Sequence, residues 1–176
     1  MRRGFGFAVL FAALWAVTPP SAPASDRLEN KEDGERRVVA GWVEDGWIGT
    51  PPIRVKVKLD TGAKTSSIHA AEFREYLRDG EPHVSFTLVN NEGQQLRIDQ
   101  PVVRTASIRR AGAELSARPV IRLNVCVAGV TSQVEFSMAD RSDLQYPVLI
   151  GRTFLAGRIL VDSARTFQAS GRCKPQ

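Results

Sequence analysis

The first residues able to do chemistry stand at Leu59-Asp60-Thr61-Gly62-Ala63, directly after the most regular strand pattern in the chain. A carboxylate on the loop leaving a rigid strand is held well enough to take a proton from a bound water. Thr61 can hydrogen-bond locally and fix the loop, and Gly62 admits backbone where a side chain would collide. Taken alone, Asp-Thr-Gly reads better as an ordinary turn, because Asp and Gly both suit turns. His69 and His83 lie in dissimilar surroundings and no His-Glu-x-x-His occurs, so both read as surface or loop histidines rather than metal ligands. Gly62-Ala63-Lys64-Thr65 faintly echoes a phosphate loop. It lacks the first Gly and the Gly-Lys adjacency that shape an anion cradle. ATP binding is rejected, and no metal or other cofactor is expected.

A second block changes the weight of the first. Val148-Leu149-Ile150-Gly151-Arg152-Thr153-Phe154-Leu155 is an apolar strand ending in Gly and running into a short helical turn.

The elements that must position these blocks are strands. Val38 to Val43 is a strand candidate, and Arg54 to Leu59 alternates strictly, with Val55, Val57 and Leu59 on one face and three cations on the other. Val84, Phe86 and Leu88 alternate up to the turn Asn90-Asn91-Glu92-Gly93, and Leu96 and Ile98 resume the pattern, which reads as a hairpin. Ile121 to Val127 and Val134 to Met138 alternate as well, and Ile159-Leu160-Val161 closes the series. Helix-like spacing is brief, at Ala70–Leu77 and at Thr153–Ala156. Regularly spaced strands separated by turn signals predict an all-β barrel or sandwich with one or two short helices.

Length and charge bound the rest. The chain has 176 residues, 24 basic against 19 acidic and 43% apolar, a globular balance for a single domain. Met1-Arg2-Arg3-Gly4 is a positive start, Phe5 to Val17 an apolar run, and Ala22-Pro23-Ala24 a small-x-small site. This predicts a signal peptide over 1–24, cleaved before Ser25, and hence a periplasmic or secreted protein. The apolar run is too short for a permanent membrane span, which needs about 20 residues. Cleavage removes two Arg and leaves 152 residues with 22 basic and 19 acidic groups. So small an excess, without basic clusters interleaved with aromatics, gives no reason to expect nucleic acid. Residues 25–37 read as a flexible polar leader, 38–163 as the folded domain and 164–176 as a tail. Cys126 and Cys173 form either a disulfide suited to an oxidising compartment or two unpaired thiols, and the residues leave both open.

Asp60-Thr61-Gly62-Ala63 together with Ile150-Gly151-Arg152-x-x-Leu155 resembles the retropepsin-like aspartic proteases. The stretches Lys58–Ala70, Arg118–Ile121, Glu135–Ser142, Tyr146–Leu155 and Gly157–Asp162 are similar to the bacterial subfamily labelled putative ATP-dependent zinc proteases. The resemblance covers about residues 38–163. It implies a closed β-barrel of acid-protease type, with Asp60 catalytic and Thr61, Gly62, Ala63, Ile150, Gly151 and Arg152 supporting it. Peptide hydrolysis by this route needs two carboxylates sharing a proton, and the chain has one Asp-Thr-Gly. Asp162 lacks the following Thr/Ser-Gly, so the resemblance implies a homodimer with one Asp60 from each protomer.

The resemblance also implies a lid, for which Asn91 and Gly93 at the hairpin tip are candidates and Ala111-Gly112-Ala113 the rival. Retroviral members carry an acid where this chain has Lys64. Arg152 then needs another partner, such as Asp140 or Asp143, or joins Lys64 in binding an acidic peptide such as a glutamate-rich one. A metalloprotease and a catalytically silent peptide-binding module are the alternative readings.

Overall fold

A computed structural model describes residues 37–70, 72–108 and 116–173. The expected signal peptide, almost all of the leader and the rival lid at Ala111-Gly112-Ala113 lie outside the described residues.

Strands β1 (Val38–Gly41), β2 (Val43–Gly49) and β3 (Pro52–Leu59) open the fold, and β2 and β3 form an antiparallel hairpin. The alternation in β3 is realised as expected: Val55, Val57 and Leu59 are buried while Arg54 and Lys56 are exposed. Beyond it come β4 (Ser66–His69), β5 (Arg74–Arg78), β6 (Glu81–Val89), β7 (Gln95–Pro101) and β8 (Arg104–Ile108). The chain ends its regular structure with β9 (Ser116–Val127), β10 (Val130–Ala139), β11 (Val148–Ile150), the four-residue helix α1 (Arg152–Leu155) and β12 (Ile159–Asp162).

Six of these strands close on themselves. From β2 the order runs to β3, β11, β4, β10 and β9, and β9 pairs back to β2, with β8 added outside β9. The architecture is therefore all-β, a closed barrel with one short helix. Ile48, Val57, Ile68, Ile121, Phe136, Val148 and Ile150 fill its interior without exposure. Each such side chain stabilises the fold by about 1.5–3 kcal/mol relative to exposure. The β9–β10 hairpin turns at Ala128-Gly129, both at positive φ, the backbone that matches the twist of the flanking strands.

The helix expected over Ala70–Leu77 is not formed. Arg74–Arg78 is strand β5, paired antiparallel with β6 through the turn Asp79-Gly80, both residues at positive φ. Asp-Gly is a strong hairpin signal, and it overrides a weak helical spacing. With β7 these strands make a separate three-stranded sheet.

The segment after β12 is fastened to the barrel. Arg165 and Val43 carbonyls accept the Trp42 and Phe167 N–H groups, and Cys173 forms a disulfide with Cys126 of β9. Glu44 lies beneath it without exposure. Its carboxylate accepts the Gly41 and Ala169 N–H groups and the Ser170 hydroxyl.

Candidate active site

Asp60 stands where β3 leaves the barrel, and the loop it begins is stitched to the segment after β11. The Asp60 N–H donates to the Ile150 carbonyl at 2.9 Å. The Arg152 and Thr153 N–H groups donate to the Ala63 and Lys64 carbonyls at 2.9 and 3.1 Å. These are first-turn amides of α1, which have no partner within a helix and here find one in the loop. Gly151 explains why this approach is so close. A Cβ on it would lie 2.6 Å from the backbone carbon and oxygen of Thr65, and its N–H donates to Ser66 Oγ at 3.1 Å. Only glycine fits against the Thr65 backbone.

The loop in turn shapes the carboxylate. The Gly62 and Ala63 N–H groups donate to Asp60 Oδ1 at 2.9 and 3.2 Å, while Oδ2 lies 3.3 Å from Lys58 Nζ. About a quarter of the Asp60 side chain is exposed. Partial burial raises its pKa, but the Gly62 N–H, the Lys58 ammonium and the Ala63 N–H together outweigh that and hold the group below the ordinary aspartate value. Within the chain Asp60 is thus a fixed, partly accessible carboxyl group.

Arg152 does not pair with Asp140 or Asp143. Its Nη1 donates to the Thr61 and Gly62 carbonyls, both at 2.9 Å, clamping the Asp60 loop from outside. Asp140 instead accepts the Ser142 N–H and hydroxyl. Lys64 is exposed and Thr61 lies exposed at the loop crest. Asp60, Thr61, Gly62, Ala63, Lys64, Ile150, Gly151 and Arg152 thus come together.

Asn91 and Gly93 do not join them. The hairpin tip is bound to Arg54, whose carbonyl accepts Asn90 Nδ2 and whose guanidinium pairs with Glu92. Arg54 precedes Asp60 by six residues of extended strand, roughly 20 Å. Asp162 is also occupied elsewhere, accepting the Ala164 N–H and Gln168 Nε2.

Four further residues at the site escaped the sequence reading. Lys58, Leu149 and Ser67 stand opposite one another across β3, β11 and β4, and so share a face. Onto this row folds Arg141, only 9% exposed, with Nη1 donating to Ser67 Oγ at 3.0 Å and Nε to the Tyr146 carbonyl at 3.1 Å. Tyr146 packs edge-on against Trp42 at 5.9 Å. Lys58 was detectable as the cation two residues before Asp60 on the same strand face. Arg141 carries no such signal.

A family profile described as the retropepsin-like aspartic endopeptidase RimB matches residues 39–171. The chain belongs to the RimB-like family. That match spans the barrel, the Asp60 loop and the fastened segment after β12. A protein of Shewanella halifaxensis (strain HAW-EB4) named probable alpha-L-glutamate ligase is 34% identical over 129 residues, which are 72% of this chain and 28% of that protein. One of the same name from Parasynechococcus marenigrum (strain WH8102) is 30% identical over 76% of this chain and 29% of its own length. The chain thus spans less than a third of these relatives. A crystal structure of a protein of unknown function from Legionella pneumophila has a TM-score of 0.65 at 27% identity, covering 76% of this chain and 99% of that one.

The ATP and zinc of the subfamily label find no fit among the described residues. Gly62-Ala63-Lys64-Thr65 runs into strand β4, so no helix N-terminus is aimed at a phosphate. Among the described residues no cluster of three or more His, Cys, Asp or Glu could hold a metal ion.

Proposed function

We propose that this chain is an exported aspartic-type endopeptidase in which two protomers each supply Asp60. The observation that carries the reading is the Asp60 carboxylate itself. It is held at a barrel strand end by two loop amides, locked from beneath by Gly151, and accessible on one side. In the paired state one carboxylate takes a proton from water as the other protonates the carbonyl oxygen of the peptide. Two ionised carboxylates sharing one site repel, so the pair retains one proton, and Lys58 from each side tempers the repulsion. The exposure of Thr61 at the loop crest supports its meeting a counterpart in the paired state.

The relatives named for alpha-L-glutamate ligation support an acidic, glutamyl peptide as the substrate class, and so does the surplus of cations around Asp60. Export is supported by the N-terminal pattern and by the Cys126–Cys173 disulfide, a bond of oxidising compartments. No described helix is long and apolar enough to cross a membrane.

The test is cleavage of acidic and neutral peptides followed by mass spectrometry. Wild type should release products and Asp60→Asn should not, while both keep the same circular dichroism. Undiminished cleavage by the variant refutes the reading. The Lys58–Asp60 pair favours one second reading, a silent peptide-binding barrel. Its sign is peptide binding that survives Asp60→Asn with no product from either protein.

A further inference from the structure

We propose that Arg141 is the specificity-determining residue of the site, binding a substrate carboxylate beside Asp60. The inference rests on the hydrolase reading above and adds the group that recognises the acidic side chain.

A guanidinium is costly to take out of water unless an anion accompanies it. Arg141 is nine-tenths buried, yet among the described residues no Asp or Glu oxygen lies within ion-pairing distance of it. Its side-chain partners are neutral: the Ser67 hydroxyl and the Tyr146 carbonyl. Its own backbone N–H donates to His69 Nδ1 at 3.0 Å, which fixes the start of the side chain as well. Asp140, the adjacent acid, is turned to Ser142.

What remains is a held cation with spare donors. A guanidinium carries five N–H donors in a planar fork. Nη2 has no hydrogen bond among the described residues, and no buried polar side-chain atom is without a partner, so Nη2 reaches solvent. An open, rigid fork is the group that takes a carboxylate in two parallel bonds.

Position decides which carboxylate. Ser67, which holds Nη1, lies in the cross-strand row with Leu149 and Lys58, and Lys58 touches Asp60. The guanidinium therefore lies on the sheet face that carries Lys58, the residue in contact with the Asp60 carboxylate. Burial lowers the Arg141 pKa while the negative charge of Asp60 raises it, which agrees with that proximity. A carboxylate arriving from substrate completes the ion pair that the chain leaves open. A glutamine in its place leaves a buried cation unmatched, and a site built this way rejects the wrong isostere strongly.

The experiment compares peptides that differ by Glu against Gln at single positions either side of the cleaved bond. Wild type should prefer Glu at one position by about 100-fold in kcat/KM. In R141Q the ratio should collapse toward one, and R141K, keeping the charge without the fork, should recover part of it. A merely structural role would lower both rates and leave the ratio standing. A wild type that cleaves Glu and Gln peptides equally at every position overturns the inference and spares the hydrolase reading. If wild type cleaves nothing, the hydrolase reading fails, and binding to the Asp60→Asn protein still decides the matter. There, calorimetry should show Glu favoured over Gln, with the preference lost when R141Q is added. A preference that persists would contradict the assignment. Where R141Q does not fold, R141K and S67A should each lower the Glu-over-Gln ratio below that of wild type, and an undiminished ratio in both would overturn the inference.

Discussion

Lys58 Nζ, near the end of β3, lies 3.3 Å from Oδ2 of Asp60, the residue just beyond that strand. The ammonium and the two loop amides hold the carboxyl ionised into more acid solution than an ordinary aspartate. A carboxyl whose folded pKa is depressed adds stability above its unfolded pKa and loses it as pH falls through the folded one. The same depression sets the acid limit of a reaction that needs the ionised form.

Lys58→Met should therefore raise the Asp60 pKa. The acid limb of the kcat/KM profile should move to higher pH, and the residue's contribution to stability should be lost at a higher pH than in wild type. Rate profiles and melting temperatures over the acid range check both. An unmoved acid limb would mean that Asp60 is not the group that titrates.

Gly151→Ala tests the contact beneath the loop. Its new Cβ would meet the Thr65 backbone at 2.6 Å, so Thr65 or the strand must shift. The expected losses are about 1–3 kcal/mol of stability from overpacking and on the order of 100-fold in activity from a displaced carboxylate. Denaturant melts and steady-state kinetics measure the two. A fully active variant would separate the Gly151 contact from the position of Asp60.

Much of this arrangement was legible in the residues, for reasons that are local. The alternation of Val55, Val57 and Leu59 is period-two burial written directly, and Gly151 marks a place where backbone meets backbone. β4 was not legible, because Ser66-Ser67-Ile68-His69 is mostly polar and becomes a strand through β10 on one side and β11 on the other. β5 was missed because its residues are largely exposed and do not alternate, although Asp79-Gly80 announced the turn. Glu44 and Arg141 are charged residues that read as solvent-facing. Each is buried by residues far along the chain, Ala169 and Ser170 for the first and Ser67 for the second. Long-range partners leave no trace in a local pattern.

Glu44→Ala should destabilise the protein without touching the chemistry. It would strand the Gly41 and Ala169 amides and the Ser170 hydroxyl in a site with no exposure. The expected loss is about 3 kcal/mol or more, with Glu44→Gln losing less because it keeps an acceptor. Equilibrium denaturation checks the order of the two variants. Equal stability of Glu44→Ala and wild type would contradict the carboxylate's role as an anchor for the C-terminal segment.

Cys173→Ser releases the same segment at its far end. The disulfide joins residues 47 apart, so its loss should destabilise the protein by roughly 2–4 kcal/mol. Thermal melts with and without reductant should differ for wild type and coincide for the variant. A wild-type melt indifferent to reductant would argue against the bond.

The central claim is that two Asp60 carboxylates share one site, and mixing protomers tests it most directly. Wild type and Asp60→Asn, co-refolded at constant total protein, would form mixed dimers with a single carboxylate. Activity should then follow the square of the wild-type fraction, so that an equal mixture retains about one quarter of the wild-type rate. Activity that falls in simple proportion, leaving about one half, would mean that each chain works alone and would contradict the paired site.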